Sequence, residues 1–386
     1  MFYPWYEWQR GFWSPFLDAA AWAARPAQLI APLQLAGEDL ARRLARAGEP
    51  IETDLGAFVR GDVGGPFDTS ARELGPFATL WRFRGPRGGG APVVLVPPCS
   101  GYACGVTSPL IATMLRHRPV LALDWKDARL VPQAAGPFGL ADQVAAVERA
   151  VRDAGPGAIV VGLSQSVAAA VAGAALAAAS GAPAGALVLL AGPFDTREGN
   201  DPLSFLLRAQ PLAALEAQFT TLVPRRYPGA GRRVYPGLLQ LLAYAFGNSP
   251  AYLEMQAGLI AELVAGTPGD RAREHRDLHS LADVPAELFL DTITAVYREH
   301  ALVTNRLAFG GRRVDFQALD GVQLLTVEMT ADEFVGKGQV HAAVDHLPHA
   351  GARRVTVEGG RHHEVFTGER FFAAVAPHLE HLLEAA

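Results

Sequence analysis

The stretch from Ala158 to Ala191 most narrowly limits what this chain can fold into. It runs from an apolar segment of strand length (Ala158 to Gly162) through a turn of small residues around Ser164 into an Ala- and Val-rich helical segment, Val167 to Ala179. A break at Ser180 to Gly185 precedes a second apolar run, Ala186 to Ala191. No charged residue occurs from Val167 to Pro193, a length that imitates a membrane span. The Ser-Gly-Ala-Pro break instead predicts two buried elements of a soluble core, a helix and a strand.

Further apolar runs follow the same plan at Pro92 to Val96, Pro119 to Leu123, Val322 to Val327 and Arg354 to Val357. Helical stretches lie between or after them at Ser108 to His117, Leu140 to Asp153 and Phe371 to Leu383. Continuous apolar strands alternating with helices predict an α/β protein, its parallel sheet covered on both faces.

Between Asp195 and about Ala308 the alternation stops. Helical patterns at Leu203 to Phe219, Tyr235 to Phe246, Ala251 to Val264 and Ala286 to Glu299 predict a helical cap inserted before the last two strands. Before the sheet, Met1 to Ala47 read as helical and Glu73 to Arg84 as one strand. Nine of the first 22 residues are aromatic, and Trp5, Trp8, Phe12 and Phe16 have the spacing of a helix packed on the core. The expected organisation is an extension over 1–90, a core in two parts over 91–200 and 309–386, and a cap over 201–308.

Composition excludes several classes of function. With 34 Lys and Arg against 39 Asp and Glu, the net charge of −5 offers no basic field for nucleic acid or an anionic membrane. Two cysteines, Cys99 and Cys104, make no disulfide framework for 386 residues. The N-terminus lacks the basic start and unbroken apolar run of a secretory signal. Together these predict a cytoplasmic protein with no transmembrane segment.

The chemistry-bearing stretch is Gly162-Leu163-Ser164-Gln165-Ser166. A nucleophile elbow holds a serine at a sharp strand-to-helix turn and needs small residues two before and two after it. Gly162 and Ser166 meet that need, although the usual motif has Gly at the later position. An N-capping serine would explain the stretch more plainly, but the apolar strand before it and the small residues after it favour the elbow. A serine hydroxyl needs a general base, and the base needs an orienting acid, in the chain order Ser, acid, His for the α/β-hydrolase fold.

Both partners are available in loops after predicted strands. Met329-Thr330-Ala331-Asp332-Glu333 offers Asp332 as the acid, with Glu328, Glu333 and Asp195 as alternatives. Gly359-Gly360-Arg361-His362-His363 offers the base. Oxyanion donors are expected at the amide of Gln165 and in the loop after the first strong strand, at Ser100 or Cys99. Nothing cationic adjoins Cys99 to favour a thiolate nucleophile. His346 and His349 lack the further ligands of a metal site, so no metal or cofactor is expected.

The sequence resembles the intracellular poly(3-hydroxybutyrate) depolymerases over nearly its whole length. The resemblance runs through Tyr6 to Arg10, Pro15-Phe16, Pro97 to Tyr102, Asp124-Trp125-Lys126-Asp127-Ala128-Arg129-Leu130-Val131-Pro132, Arg233 to Gly237, Pro285 to Thr292, Leu325 to Glu328, Gly336-Lys337-Gly338-Gln339, and His362 with Val365 to Gly368. It implies a nucleophile at Ser164, an acid at Asp332 and a base at His362, which the following Val-Phe pair singles out over His363. It also implies a storage polyester or its oligomers as substrate and an association with polymer granules; a homodimer is left open. The family usually has Cys at the nucleophile followed by Gln and Pro, where this chain has Ser164-Gln165-Ser166. A hydrolase of small soluble esters or thioesters, a related acyltransferase and a non-catalytic granule-coating protein are the competing expectations.

Overall fold

The computed structural model describes residues 50, 54–63, 65–86, 89–247, 249–266, 269, 275, 279 and 281–385. The helix expected over Met1 to Ala47, with its aromatic spacing, lies outside the described residues. The chain opens with helix α1 (Leu55–Val63) and strands β1 (Asp68–Gly75), β2 (Ala78–Arg84) and β3 (Val93–Val96). Then come α2 (Ala103–Leu115), β4 (Val120–Trp125), α3 (Leu140–Ala154), β5 (Ile159–Leu163), α4 (Val167–Ala179) and β6 (Ala186–Leu190).

A long insertion follows, with α5 (Pro202–Ala209), α6 (Leu212–Phe219), β7 (Thr221–Leu222), β8 (Arg233–Tyr235), α7 (Gly237–Gly247), α8 (Ser249–Ala265), β9 (Val284–Pro285), α9 (Ala286–Thr292), β10 (Ala308–Phe309) and β11 (Arg312–Arg313). The chain then returns to the sheet through β12 (Gln323–Met329), α10 (Ala343–His346), β13 (Gly351–Val357), α11 (Glu364–Thr367) and α12 (Glu369–Ala385).

Eight strands form one sheet in the order β1-β2-β4-β3-β5-β6-β12-β13. Strand β2 runs antiparallel to both its neighbours, and every pairing from β4 to β13 is parallel. With helices on both faces, this is the α/β-hydrolase fold. The two faces follow from the two-residue period of strands. Val94, Leu121, Val160 and Leu187 pack with α3 and α4 on one side. Val93, Leu95, Val161 and Val188 pack with α1, α2 and α12 on the other. The uncharged stretch that imitates a membrane span is α4 and β6, both buried in this core. Among the described residues no helix is long and apolar enough to cross a membrane.

Two elements differ from the sequence expectation. Glu73 to Arg84 is not one strand but the end of β1, a tight turn and β2, since Pro76 can donate no ladder hydrogen bond and the chain reverses between Gly75 and Ala78. The hairpin belongs to the main sheet, pairing with β4 through β2. The helix expected over Leu203 to Phe219 is split into α5 and α6 at Gln210-Pro211, where a proline would clash with the preceding turn.

The parallel arrangement decides where chemistry can occur. Strands β3, β5, β6, β12 and β13 all end at the same sheet edge, so the loops after them converge there.

Candidate active site

Ser164 follows β5 directly and has φ +50°, a left-handed conformation that non-glycine residues rarely adopt. The strain presents its side chain above the strand end, and close packing holds it there. A Cβ on Gly162 would stand 2.6 Å from the Ala170 Cβ. One on Gly192, just after β6, would stand 2.3 Å from the Ser164 carbonyl oxygen. The elbow therefore needs small residues from two strands, and the second was not evident from the motif alone.

Ser166 occupies the position where the usual motif has glycine, and its hydroxyl has partners of its own. It is fully buried, donates to the Pro97 carbonyl at 2.6 Å and accepts from Gln143 Nε2 at 3.0 Å. Gln143 also reaches Cys99 Sγ at 3.3 Å. This glutamine was missed by the sequence reasoning, although it and Glu148 are the polar residues among the buried positions of α3, which include Val144, Val147 and Val151.

The loops after β12 and β13 are zipped together. Thr330 N donates to the Val357 carbonyl at 3.1 Å, and Ala331 N to the Gly360 carbonyl at 2.9 Å. Asp332 Oδ1 accepts from the amides of Phe334 and Val335 at 2.8 and 2.9 Å, which aims its other oxygen at His362. Asp332 Oδ2 lies 2.8 Å from His362 Nδ1, and His362 Nε2 lies 2.9 Å from Ser164 Oγ. With Nδ1 protonated toward Asp332, Nε2 is free to accept the serine hydroxyl. Burial disfavours the imidazolium, but the charge and hydrogen bond of Asp332, with the charge of Glu333, outweigh it and hold the His362 pKa above its ordinary value.

The alternative acids are engaged elsewhere. Glu328 accepts from the amides of Gly338, Val340 and His341 at 2.9 to 3.1 Å, so it shapes the loop after β12. Glu333 accepts from the His362 amide at 3.0 Å and Arg361 Nε at 2.8 Å, holding the backbone of the histidine loop. Asp195 pairs with Arg197 at 2.7 Å. His363 precedes α11 at its N-cap, and Phe334 packs edge-on against the His362 ring at 5.3 Å.

The Cys99 amide faces the elbow, donating to Gln165 Oε1 at 3.3 Å. Ser100 turns its carbonyl toward the insertion, accepting from Ala282 N at 3.1 Å. Burial raises the Cys99 thiol pKa well above its ordinary value, more than the Gln143 hydrogen bond lowers it. That environment opposes a thiolate. Among the described residues no group of three or more His, Cys, Asp or Glu could hold a metal ion.

The family described as PHB de-polymerase C-terminus matches residues 191–386, just over half of the chain. The chain belongs to the PHB depolymerase family. The stretch matched to the PHB depolymerases contains Asp332 and His362, whereas Ser164 precedes it. No curated protein matches the chain.

Solved structures similar in chain path include three hydrolases. GrgF from Penicillium sp. sh18 is 13% identical, covering 83% of this chain and 99% of its own, with a TM-score of 0.48. The 2-hydroxy-6-oxo-6-phenylhexa-2,4-dienoate hydrolase of Rhodococcus sp. strain RHA1 is 15% identical, covering 83% and 100%, with a TM-score of 0.46. The monoacylglycerol lipase of Paleococcus ferrophilus is 12% identical with the same coverages and the same score.

Proposed function

We propose that this member of the PHB depolymerase family hydrolyses the ester bonds of hydroxyalkanoate polyester or its oligomers, with Ser164 as nucleophile, His362 as general base and Asp332 as the orienting acid. One observation carries the proposal: in a chain of this family, a strained serine lies 2.9 Å from an imidazole nitrogen whose other nitrogen is 2.8 Å from a buried carboxylate. Nucleophile, base and orienter within hydrogen-bond reach are what acyl transfer through a hydroxyl requires.

In the proposed reaction Ser164 Oγ bonds to the ester carbonyl carbon while its proton passes to His362 Nε2. The resulting imidazolium is stabilised by Asp332. The tetrahedral oxyanion is held by the amide of Gln165 and by that of Cys99, which exchanges its bond to Gln165 Oε1 for the oxyanion. Collapse breaks the ester bond, and His362 returns the proton to the departing alkoxide, freeing a hydroxyl chain end. A water deprotonated by His362 then cleaves the acyl-enzyme, yielding a hydroxy acid or oligomer and restoring Ser164.

A water-insoluble substrate agrees with the surface of the insertion. The large exposed hydrophobic side chains among the described residues, Phe205, Leu222, Leu242, Leu253 and Ile260, all lie within it. In this proposal the insertion acts as a cap and the protein works in the cytoplasm at the polymer granule.

Two measurements test the proposal together. A fluorophosphonate should label the wild-type protein and not Ser164→Ala. Wild-type protein should release 3-hydroxybutyrate or its oligomers from protein-free amorphous granules. Labelling of Ser164→Ala would refute the nucleophile, whereas cleavage of a short nitrophenyl ester without polymer release would point to small soluble esters.

A further inference from the structure

Behind the loop that bears the Cys99 amide lies a cluster of charged and polar side chains that the proposed reaction does not use. Tyr102, Asp127, Arg129 and Asp283 are each exposed by 3% or less. Tyr102 donates its hydroxyl to Asp127 Oδ2 at 2.5 Å. Arg129 grips the same carboxylate, with Nη2 2.6 Å from Oδ2, Nε 3.1 Å from Oδ1, and its own amide 2.8 Å from Oδ1. The same Arg129 Nε stands 3.5 Å from Asp283 Oδ1.

Asp283 belongs to the insertion, immediately before β9. Its carboxylate accepts from the Gly237 amide at 2.9 Å at the start of α7. The backbone repeats the connection, since Gly101 bridges to Leu281 and Ala128 N donates to the Asp283 carbonyl at 3.0 Å. The short loop from Cys99 to Tyr102 is thus held at one end by the elbow, through Gln165, and at the other by the insertion, through this cluster.

Stability alone is a poor reason for such a cluster. Removing two carboxylates and a guanidinium from water is costly, and well-packed apolar side chains of similar volume often stabilise a fold as well or better. Fully paired buried charges do impose a single geometry. Here that geometry includes the position of an amide three residues from the Tyr102 anchor.

We infer that Tyr102, Asp127, Arg129 and Asp283 are positioning residues that lock the insertion to the loop bearing the Cys99 amide, so that insertion and oxyanion donor move as one unit. The inference rests on the proposed hydrolase reading, in which that amide turns from Gln165 Oε1 to the developing oxyanion. Tyr102→Phe removes one hydroxyl from the near end of the cluster and keeps the ring. Asp283→Asn disturbs the far end, inside the insertion, while keeping the shape of the side chain. Misplacing a donor by a fraction of an ångström weakens transition-state binding more than substrate binding.

The experiment compares these variants with the wild-type protein and Ser164→Ala on a short nitrophenyl ester. It also measures inhibition by a boronic acid that forms a tetrahedral adduct with the serine. In Tyr102→Phe, kcat should fall about 10- to 100-fold with KM within about twofold, and boronate affinity should weaken in step with kcat. Asp283→Asn should shift in the same direction, and the double variant should be no worse than the poorer single variant by more than about twofold. A Tyr102→Phe enzyme with wild-type kcat and boronate affinity overturns the inference, as does a loss confined to KM and thermal stability. Turnover retained in Ser164→Ala would instead mark failure of the hydrolase reading itself.

Discussion

The hydroxyl of Ser166 donates to the carbonyl of Pro97 at 2.6 Å, joining the turn after β5 to the loop after β3. A glycine at position 166 would satisfy the usual motif but leave that carbonyl and Gln143 Nε2 without this partner. Ser166→Ala should therefore cost about 1–3 kcal/mol of unfolding free energy, the usual penalty for stranding a buried polar group. Chemical denaturation measures it, and an unchanged midpoint would show that the hydroxyl contributes nothing to stability.

Asp332 and Glu333 are adjacent carboxylates with different partners on His362, one on the ring and one on the backbone amide. Asp332→Asn should lower kcat on a nitrophenyl ester by about 10⁴-fold, because the amide no longer favours the needed tautomer. Glu333→Gln should lose less than about tenfold. Equal losses in the two variants would contradict the assignment of the acid.

The raised pKa of His362 has a defined consequence for activity. In the proposed mechanism the base works neutral, so kcat/KM should climb through a pKa above the ordinary histidine value of about 6.5 and level off at higher pH. Stability has the opposite sign. A histidine whose folded pKa is raised contributes stability that is complete below its unfolded pKa and lost as pH rises through the folded one. An activity limb centred below about 6.5 would show that Asp332 does not govern the imidazole.

Asp124 is the penultimate residue of β4, beside the indole of Trp81, whose Nε1 lies 3.2 Å from its carboxylate. Burial pushes its pKa up to about 6, against the smaller lowering effects of Trp81 and Lys126. The folded state binds the proton more tightly than the unfolded chain, so stability should decline as pH rises through about 6. Asp124→Asn should accordingly stabilise the protein at pH 8 by about 1–3 kcal/mol and have little effect near pH 4. Thermal melts at the two pH values decide it; equal shifts at both would exclude a titration effect.

Phe205 and Leu253 are 69% and 65% exposed on the insertion. If this surface meets the polymer, Phe205→Ser and Leu253→Ser should slow release from granules about tenfold in combination while leaving nitrophenyl ester turnover within about twofold. Equal effects on both substrates would remove these side chains from polymer contact.

Elements whose cause is local were legible in the sequence. Strand β5, the serine turn and α4 follow from an apolar run, small residues and an Ala-rich segment, and the boundaries expected there differ from the structure by at most one residue. Ser164, Asp332 and His362 could be picked from loops after strands because a parallel sheet sends all such loops to one edge.

What escaped depends on partners far along the chain. Tyr102 meets Asp127 across 25 positions, and Gln143 meets Ser166 across 23, with no periodicity to announce either pair. The hairpin at Gly75 was missed for a different reason. Its alternation continues through the turn, so the Gly75-Pro76 pair was the signal of reversal.

Ser164 and the imidazole beside it are 198 positions apart, with the whole insertion between them. The elbow with its strand and helix is a local unit that can form early, whereas bringing His362 to it requires the slow closure of a long loop. Until β12 and β13 dock, the serine lacks the imidazole that the proposed mechanism gives it as a base. In the proposed mechanism an activated hydroxyl therefore requires the closed sheet, and a chain in which β12 and β13 are undocked would carry none among the other proteins of the cell.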